Sequence, residues 1–219
     1  MAHTQVELTE QIDAVRPQTN EARRAPVDQR AVVIREVIES RQNVSPKRLM
    51  EPGPTADELK AIFAMAAAAP DHGQLLPWRF VVVPQEKRGL LAEVFALALI
   101  DRDPGATLVQ IEAAREKAHR SPLLMLAVAR LVSDREPEIP NVERMVSLGC
   151  AVQNILLASH AMGFGSGLAS GQAMASPRMR ALFSLTNDET AVCFVNVGTV
   201  SKRKPARTRP SVEQFVTNL

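Results

Sequence analysis

Apolar residues recur every three to four positions in five segments of the chain, which is the spacing typical of amphipathic helices. Thr55 with Glu58 three residues later has the pattern of a capping box and predicts the start of the second helix, which Pro70 ends. In the fifth segment, residues 148–158 are apolar on almost every side, which predicts burial in a large core or in a subunit interface. The five segments are residues 28–42, 55–69, 85–99, 107–120 and 141–163.

Three apolar runs between these helices predict strands. Residues 79–83 and 190–200 are rich in β-branched side chains, as buried strands usually are. Residues 122–132 have few β-branched side chains, but they follow a helix and a Ser-Pro pair, so we predict a strand there too. The strands are separated by helices without strict alternation, and this pattern predicts an α+β fold.

Residues 1–27 are polar and predict an N-terminal extension ahead of one folded domain at residues 28–219. The first residues lack the apolar core of a signal peptide, and the early Glu7 and Glu10 argue against a transit peptide. The chain has no apolar stretch of about 18 residues that could span a membrane. We therefore expect a cytoplasmic protein without a membrane partner.

Composition narrows the possible ligands. Only 4% of the residues are aromatic and none is Tyr, which argues against a protein that stacks on nucleic-acid bases. The net charge is +2, but basic residues cluster at 201–209, where the sequence leaves a solvated tail and an anion site equally open. Cys150 and Cys193 are far apart in apolar stretches, and the histidines have no metal-like spacing, so we expect neither a disulfide nor a metal site.

Two polar or glycine-rich stretches follow predicted helices. Residues 163–171, GFGSGLASG, fit neither GxGxxG nor a P-loop, and predict a helix end at Gly163 followed by a tight loop. That loop could be purely structural, or it could let a flat ligand lie close to the backbone. His72 lies in the loop between Pro70 and the next strand, where a functional role and a simple turn capped by Asp71 are both open.

Four stretches of the chain together resemble the flavin-dependent nitroreductase family, specifically its small minimal branch. They occur in the family's order within about residues 30–219. The resemblance implies a central, mostly antiparallel sheet surrounded by helices, in an interlocked homodimer with FMN at the interface. Residues 28–219 would then be a nitroreductase-like FMN-binding domain. The four stretches are ESRQNVSPKRLMEPGPTADEL, APDHGQLLPWRFVVV, MVSLGCAVQNILLASHAMGFGSGLASG and VNVGTVSKRKPARTRP.

The resemblance also implies site residues. Arg41 matches a phosphate or ribityl ligand, Arg207 matches a second phosphate cation, and a backbone N–H within residues 168–171 would lie near flavin N5. The implied FMN-binding residues are Ser40, Arg41, Gln42, Ala68, Asp71, His72, Gln74, Leu168, Ala169, Ser170, Gly171 and Arg207. The helix end matches a segment that faces the nicotinamide nucleotide, namely Ala158, Ser159, His160, Ala161, Met162 and Gly163. From the residues alone, His160 on its apolar helix is expected to be an ordinary near-surface or satisfied side chain.

The function implied is hydride transfer from NADH or NADPH through FMN to an electron-poor acceptor such as a nitroaromatic or a quinone. No side chain is expected to be catalytic, because the flavin carries the chemistry. The chain has Gln42 after Arg41, and Leu168-Ala169 where the branch often has Trp-Arg. These departures leave open an FMN storage or sensor protein without efficient turnover, and also reductive chemistry on one metabolite. A nucleic-acid-binding dimer is disfavoured by the scarcity of aromatic residues.

Overall fold

The computed structural model describes residues 28–132, 139–205 and 207–219. Contacts between Cα atoms divide the chain into two compact units, residues 1–36 and 37–219. Helix α1 (Gln29–Ser40) begins in the first unit and ends in the second, and none of its side chains is buried. The predicted extension, residues 1–27, lies outside the described residues, so its boundary stays a prediction.

Five further helices lie in the second unit. The periodicity predicts four of them, and the last begins at the pair Ser176-Pro177. Thr55 begins α2 as predicted: its Oγ1 accepts from the Glu58 N–H at 3.3 Å, and the Glu58 carboxylate accepts from the Thr55 N–H at 2.8 Å. Thr107 and Gln110 form a second capping box at the start of α4. The helices are α2 (Ala56–Ala66), α3 (Arg88–Arg102), α4 (Leu108–Arg115), α5 (Asn141–Ala161) and α6 (Pro177–Leu182).

The helices surround a five-stranded sheet in which every paired strand is antiparallel to its neighbour. The longest strand, β5, pairs with β3 along most of its length, and β2 pairs with β3. Strand β4 pairs with residues 194–198 of β5, and β1 pairs with residues 199–200. The strands are β1 (Leu49–Met50), β2 (Trp78–Val82), β3 (Leu123–Arg130), β4 (Gly165–Ala169) and β5 (Glu189–Val200). This arrangement confirms the α+β prediction.

The glycine-rich stretch contains a strand, so the prediction of a tight loop over residues 163–171 was wrong in its middle part. Gly163 does end the helix, with a φ of +88° that favours glycine. Residues 165–169 then run along β5, from Gly165 opposite Gly198 to Ala169 opposite Phe194. A Cβ atom on Gly167 would clash with the carbonyl oxygen of Val44. The glycine is therefore needed where another segment lies against the strand.

The sheet carries a hydrophobic core on each face. Helices α2 and α5 pack on the first core, which includes the buried Trp78. Helices α3 and α6 pack on the second core, through Leu91 and Met179. Strand β3 is buried along its whole length except at its last residue, and its alternate residues pack into the two cores, with Met125 in the first core and Leu126 in the second. The buried sheet is therefore a rigid frame for the loops at its ends.

One carboxylate ties three strands together at the end of the sheet. Glu189 of β5 accepts from Arg79 Nε at 2.6 Å and Nη2 at 2.8 Å, and Arg130 Nε lies 3.6 Å away. The side chain of Glu189 is only 6% exposed. The hydrogen bonds from Arg79, with a smaller contribution from the Thr186 N–H, lower the pKa of Glu189 from 4.5 to about 2.

We expect the ion pair between Glu189 and Arg79 to make the free energy of unfolding depend on pH. Because the folded-state pKa of Glu189 is depressed, its contribution is complete above pH 4.5 and is lost as the pH falls toward 2. Glu189→Gln should lower the free energy of unfolding at pH 7 by about 2 kcal/mol and flatten its decrease between pH 4.5 and 2. Urea denaturation across this pH range measures both effects. An identical pH dependence in the two proteins would contradict the assignment.

Candidate functional site

A cavity of about 80 Å³ opens where the ends of α1, α5 and β5 meet. Its charged side chains are all cationic, because no Asp or Glu is among the described residues that line it. The chain segment that follows α1 forms one wall, and the basic segment that follows β5 forms another. Concentrated positive charge in a concave site attracts anions. The cations are Arg41, Arg48, Lys202, Arg203 and Lys204.

Arg41 has an unsatisfied donor inside this cationic cavity. Its Nε atom is buried and has no hydrogen-bond partner among the described residues. Its backbone carbonyl accepts from Arg209 Nη2 at 2.9 Å, which fixes the main chain but leaves the guanidinium N–H unpaired. Burial, and then the charge of Arg209, lower the pKa of Arg41. A buried N–H of a cation without an acceptor is costly, so an anionic oxygen is the partner that this group lacks.

His160 faces the same cavity from the last turn of α5. Its Nε2 lies 2.7 Å from Ser40 Oγ, in a hydrogen bond that joins the ends of α5 and α1. The pKa of His160 is lowered, first by burial and then by the positive charges of Arg203 and Arg41. The ring is a satisfied polar group, as expected from the residues alone, and it also lines the anion cavity.

The segment after Arg41 is held against the edge of β4. Asn43 Oδ1 accepts from the Leu168 N–H at 3.1 Å, and the Val44 N–H donates to the Ser166 carbonyl at 2.9 Å. This is the contact that the missing side chain of Gly167 permits. The glycine-rich strand therefore positions the segment that carries Arg41.

A second, larger cavity of about 480 Å³ lies beyond the other end of β4 and includes Ala169, Ser170 and Gly171 in its wall. Leu168 does not line it. Leu168 lies opposite Val195 of the first core, whereas Ala169 lies opposite Phe194 of the second core, so their side chains point to opposite faces of the sheet.

The structure brings some of the residues implied by the resemblance together. Ser40, Arg41 and Gln42 line the cationic cavity together with His160 and Gly163 of the segment assigned to the nicotinamide nucleotide. The other four residues assigned to the nicotinamide nucleotide do not line this cavity. Ala158 and Ser159 are buried within the fold, Met162 packs against the first core, and Ala161 is exposed.

The predicted residues near the loop before β2 lie elsewhere. The Asp71 carboxylate accepts from the N–H groups of Leu75 at 3.2 Å and Leu76 at 2.8 Å, so it does cap a turn. His72 Nδ1 contacts the Glu143 carboxylate at 2.8 Å. Gln74 is exposed with a φ of +53°, and Ala68 is exposed at the end of α2.

Arg207 is also exposed and does not line the cationic cavity. The predicted roles of Arg207 and of the residues near the loop before β2 stay predictions.

Sequence reasoning missed several lining residues, namely Asn43, Arg48, Lys202, Arg203 and Lys204. The signal was present in the basic run 201–209, for which an anion site was one of two open interpretations. Because β5 ends at Val200, the first cations of that run reach the cavity rather than Arg207.

Other kinds of site find no support in the part of the chain that the structure describes. No cluster of three or more His, Cys, Asp or Glu side chains there could hold a metal ion. Cys150 and Cys193 are free, and burial raises the pKa of the Cys193 thiol to about 11. None of the described helices is long and apolar enough to cross a membrane. The expected cytoplasmic location stays a prediction.

Comparison with known proteins shows the family to which this fold belongs. The model of the nitroreductase family matches residues 41–199. A Haemophilus influenzae protein named "Putative NAD(P)H nitroreductase" is 31% identical over 176 residues, which cover 80% of this chain and 94% of that protein. The Bacillus cereus nitroreductase-like family protein has a TM-score of 0.74 at 18% identity, covering 85% of this chain and 95% of that one.

A second solved structure, a Bacteroides fragilis nitroreductase with bound FMN, has a TM-score of 0.63 at 18% identity. It covers 85% of this chain and 98% of that one. The solved structures share the fold, and the family model spans the segment from Arg41 to the last strand. The chain therefore belongs to the nitroreductase family, as the resemblance predicted.

Proposed function

We propose that the protein is an FMN-dependent oxidoreductase that uses NADH or NADPH to reduce an electron-poor acceptor such as a nitroaromatic or a quinone. The Haemophilus influenzae relative named as a putative NAD(P)H nitroreductase and the FMN-bound Bacteroides fragilis structure support this assignment. When bound, FMN supplies the centre that accepts a hydride and passes electrons to the acceptor.

The observation that carries the proposal is the unsatisfied Nε of Arg41 inside a cavity whose described charged residues are all cations. The FMN phosphate is a dianion whose oxygens accept charge-assisted hydrogen bonds, so it fits this donor set. Arg41 would donate from Nε, and Arg203 and Lys202 would neutralise the remaining charge. Burial is the main reason that the pKa of His160 is lowered, and an anion there would offset the further lowering by the charges of Arg203 and Arg41.

The end of β4 offers groups for the flavin ring. Ser170 and Gly171 follow the strand, and their backbone N–H groups have no hydrogen-bond partner among the described residues. They are donors that a polar ring edge could use without displacing an existing bond. No side chain need transfer a proton in this scheme, and the protein acts by binding and orienting the cofactor and its substrates.

We propose that the active form is a homodimer. Apolar side chains are exposed near the start of α5, where Val142 is 68% and Val146 is 60% exposed, and in the tail, where Phe215 is 66% exposed. Large exposed apolar side chains that cluster mark interaction surfaces. Light scattering should give twice the mass of the chain, and a monomer at micromolar concentration would contradict this part of the proposal.

The alternative is an FMN storage or sensor protein, which the Leu168-Ala169 departure motivates. Leu168 is 40% exposed and presents an aliphatic surface in place of the aromatic side chain that the minimal branch often has there. FMN would bind in either case, so reduction by a nicotinamide nucleotide separates the two functions.

Retention of the cofactor tests the binding step. Protein incubated with FMN and then desalted should keep one flavin per chain, and calorimetry should show riboflavin binding at least about tenfold more weakly, because it lacks the phosphate. Equal affinity for FMN and riboflavin would show that the cationic cavity does not hold the phosphate. Loss of flavin on desalting would contradict the proposal as a whole.

We expect Gly167→Val to weaken FMN binding from a distance. The added side chain would displace Val44 and the Asn43 contact, and with them the segment that carries Arg41. The dissociation constant for FMN should rise by about tenfold or more, whereas Gly89→Val, at the start of α3 where a Cβ meets no atom within 4 Å, should leave it within about twofold. Calorimetric titration of the two folded variants compares them, and equal affinities would contradict this positioning role.

A further inference from the structure

We infer that the second cavity is a separate binding site for a small organic anion with an apolar body. Its volume of about 480 Å³ lies within the range of small-molecule pockets. It is formed by α3, the end of α4 with the turn after it, and the segment 169–174. The proposed flavin site shares residues 169–171 with this cavity, but the apolar side chains and the cations that line it have no role in that site.

The chemistry of the cavity is divided between an apolar wall and a cationic rim. Phe95, Leu99, Leu124 and Phe194 supply apolar surface, while Arg102, Lys117 and Arg120 supply positive charge. Such a surface binds a ligand that has both an apolar body and an anionic group, because each part meets its complement.

The three cations are poorly compensated by the protein. Among the described residues, no carboxylate forms an ion pair with Arg102 or Lys117. Arg120 Nη2 lies 3.9 Å from Glu116 Oε2, and the Glu116 side chain is exposed and does not line the cavity. Partial burial, then the charges of Arg120 and Arg102, lower the pKa of Lys117. A bound carboxylate or phosphate would relieve this mutual repulsion.

The cavity is distinct from the side of β4 that Leu168 faces. Ala169 lines the cavity and belongs with the second core, whereas Leu168 lies opposite a residue of the first core. The two faces share the backbone of residues 169–171. A ligand in this cavity therefore contacts the strand end from the face opposite to Leu168, and need not displace one held on the Leu168 side.

Calorimetric titration with 1-naphthoate and with the uncharged 1-naphthamide tests the site, because the two probes differ mainly in charge. We expect 1-naphthoate to bind about tenfold more tightly than 1-naphthamide. Lys117→Met and Arg102→Met should each weaken naphthoate about tenfold and leave naphthamide within about twofold. The control Lys60→Met removes an exposed lysine of α2 outside the cavity and should change neither affinity.

Two further measurements locate the probe. Ala173→Phe should abolish the binding of both probes by filling the cavity, while its thermal unfolding shows that the variant is folded. Protein loaded with FMN should bind naphthoate as well as the protein without it. The inference would be overturned if the two probes bound with equal affinity. It would also be overturned if Lys117→Met and Arg102→Met left naphthoate binding unchanged, or if FMN competed with naphthoate. None of these readouts depends on turnover, so failure here is distinguishable from failure of the proposed function.

Discussion

Arg41→Met is expected to raise the dissociation constant for FMN by about 100-fold, the largest effect on cofactor binding among single substitutions in the cationic cavity. The Nε of Arg41 is buried without a partner, so a phosphate oxygen would gain a charge-assisted hydrogen bond there without breaking another. A hydrogen bond to a charged group is worth about 1.5–3 kcal/mol, and about 1.4 kcal/mol corresponds to a tenfold change in affinity. Calorimetric titration with FMN measures the change.

Three comparisons make this result specific. Arg41→Lys keeps the charge but loses the planar donor, so we expect an intermediate affinity. Arg178→Met removes an arginine that pairs with Asp101 outside the cavity and should leave FMN binding unchanged. Riboflavin binding should be nearly equal in the wild type and in Arg41→Met, since only the phosphate is affected. If Arg41→Met bound FMN normally while Arg207→Met did not, the phosphate would lie with the cation that the resemblance favoured.

Arg88→Met is expected to give the largest loss of stability of any single substitution considered. The Arg88 side chain is only 1% exposed, and it donates to Val83 O at 2.8 Å, Ala118 O at 2.7 Å and Pro122 O at 3.1 Å. It thereby connects the start of α3 with the chain just after β2 and just before β3. Methionine fills similar space but leaves buried carbonyl groups without donors, at a cost of about 3–5 kcal/mol in the free energy of unfolding.

Urea denaturation at pH 7 measures this effect. The control is Arg115→Met, which removes an arginine of α4 that pairs with the exposed Glu93 and should change the free energy of unfolding far less. If the two substitutions destabilised the protein equally, Arg88 would not act as the structural connection described. Burial lowers the pKa of Arg88, but three carbonyl acceptors within 3.1 Å keep the charged form in place.

Hydrophobic periodicity and helix-capping patterns predicted most of the fold, because helix starts and buried strands depend on residues close in sequence. The capping box at Thr55, the long apolar helix and the final strand all formed where the pattern predicted. The strand at residues 165–169 was missed because its pairing partner lies about 30 residues away and its glycines disfavour isolated strands. Only the approach of Val44 explains why Gly167 belongs in a strand.

The part of the candidate site that follows α1 was predictable from the sequence, and the part that follows β5 was less predictable. Arg41 stands in a recognisable motif, so its place in the cavity followed from the resemblance. In the basic run after β5, charge alone cannot say which cation turns toward the cavity, because that depends on where the strand ends. The end at Val200 brings Arg203 to the cavity and leaves Arg207 outside it.

Anaerobic addition of NADH or NADPH to the FMN-loaded, desalted protein tests the central claim most directly. We predict that at least one nucleotide bleaches the bound flavin faster than it bleaches free FMN, and that a quinone or nitroaromatic then restores the absorption. Bound flavin that neither nucleotide bleaches would contradict the oxidoreductase function and favour FMN storage or sensing.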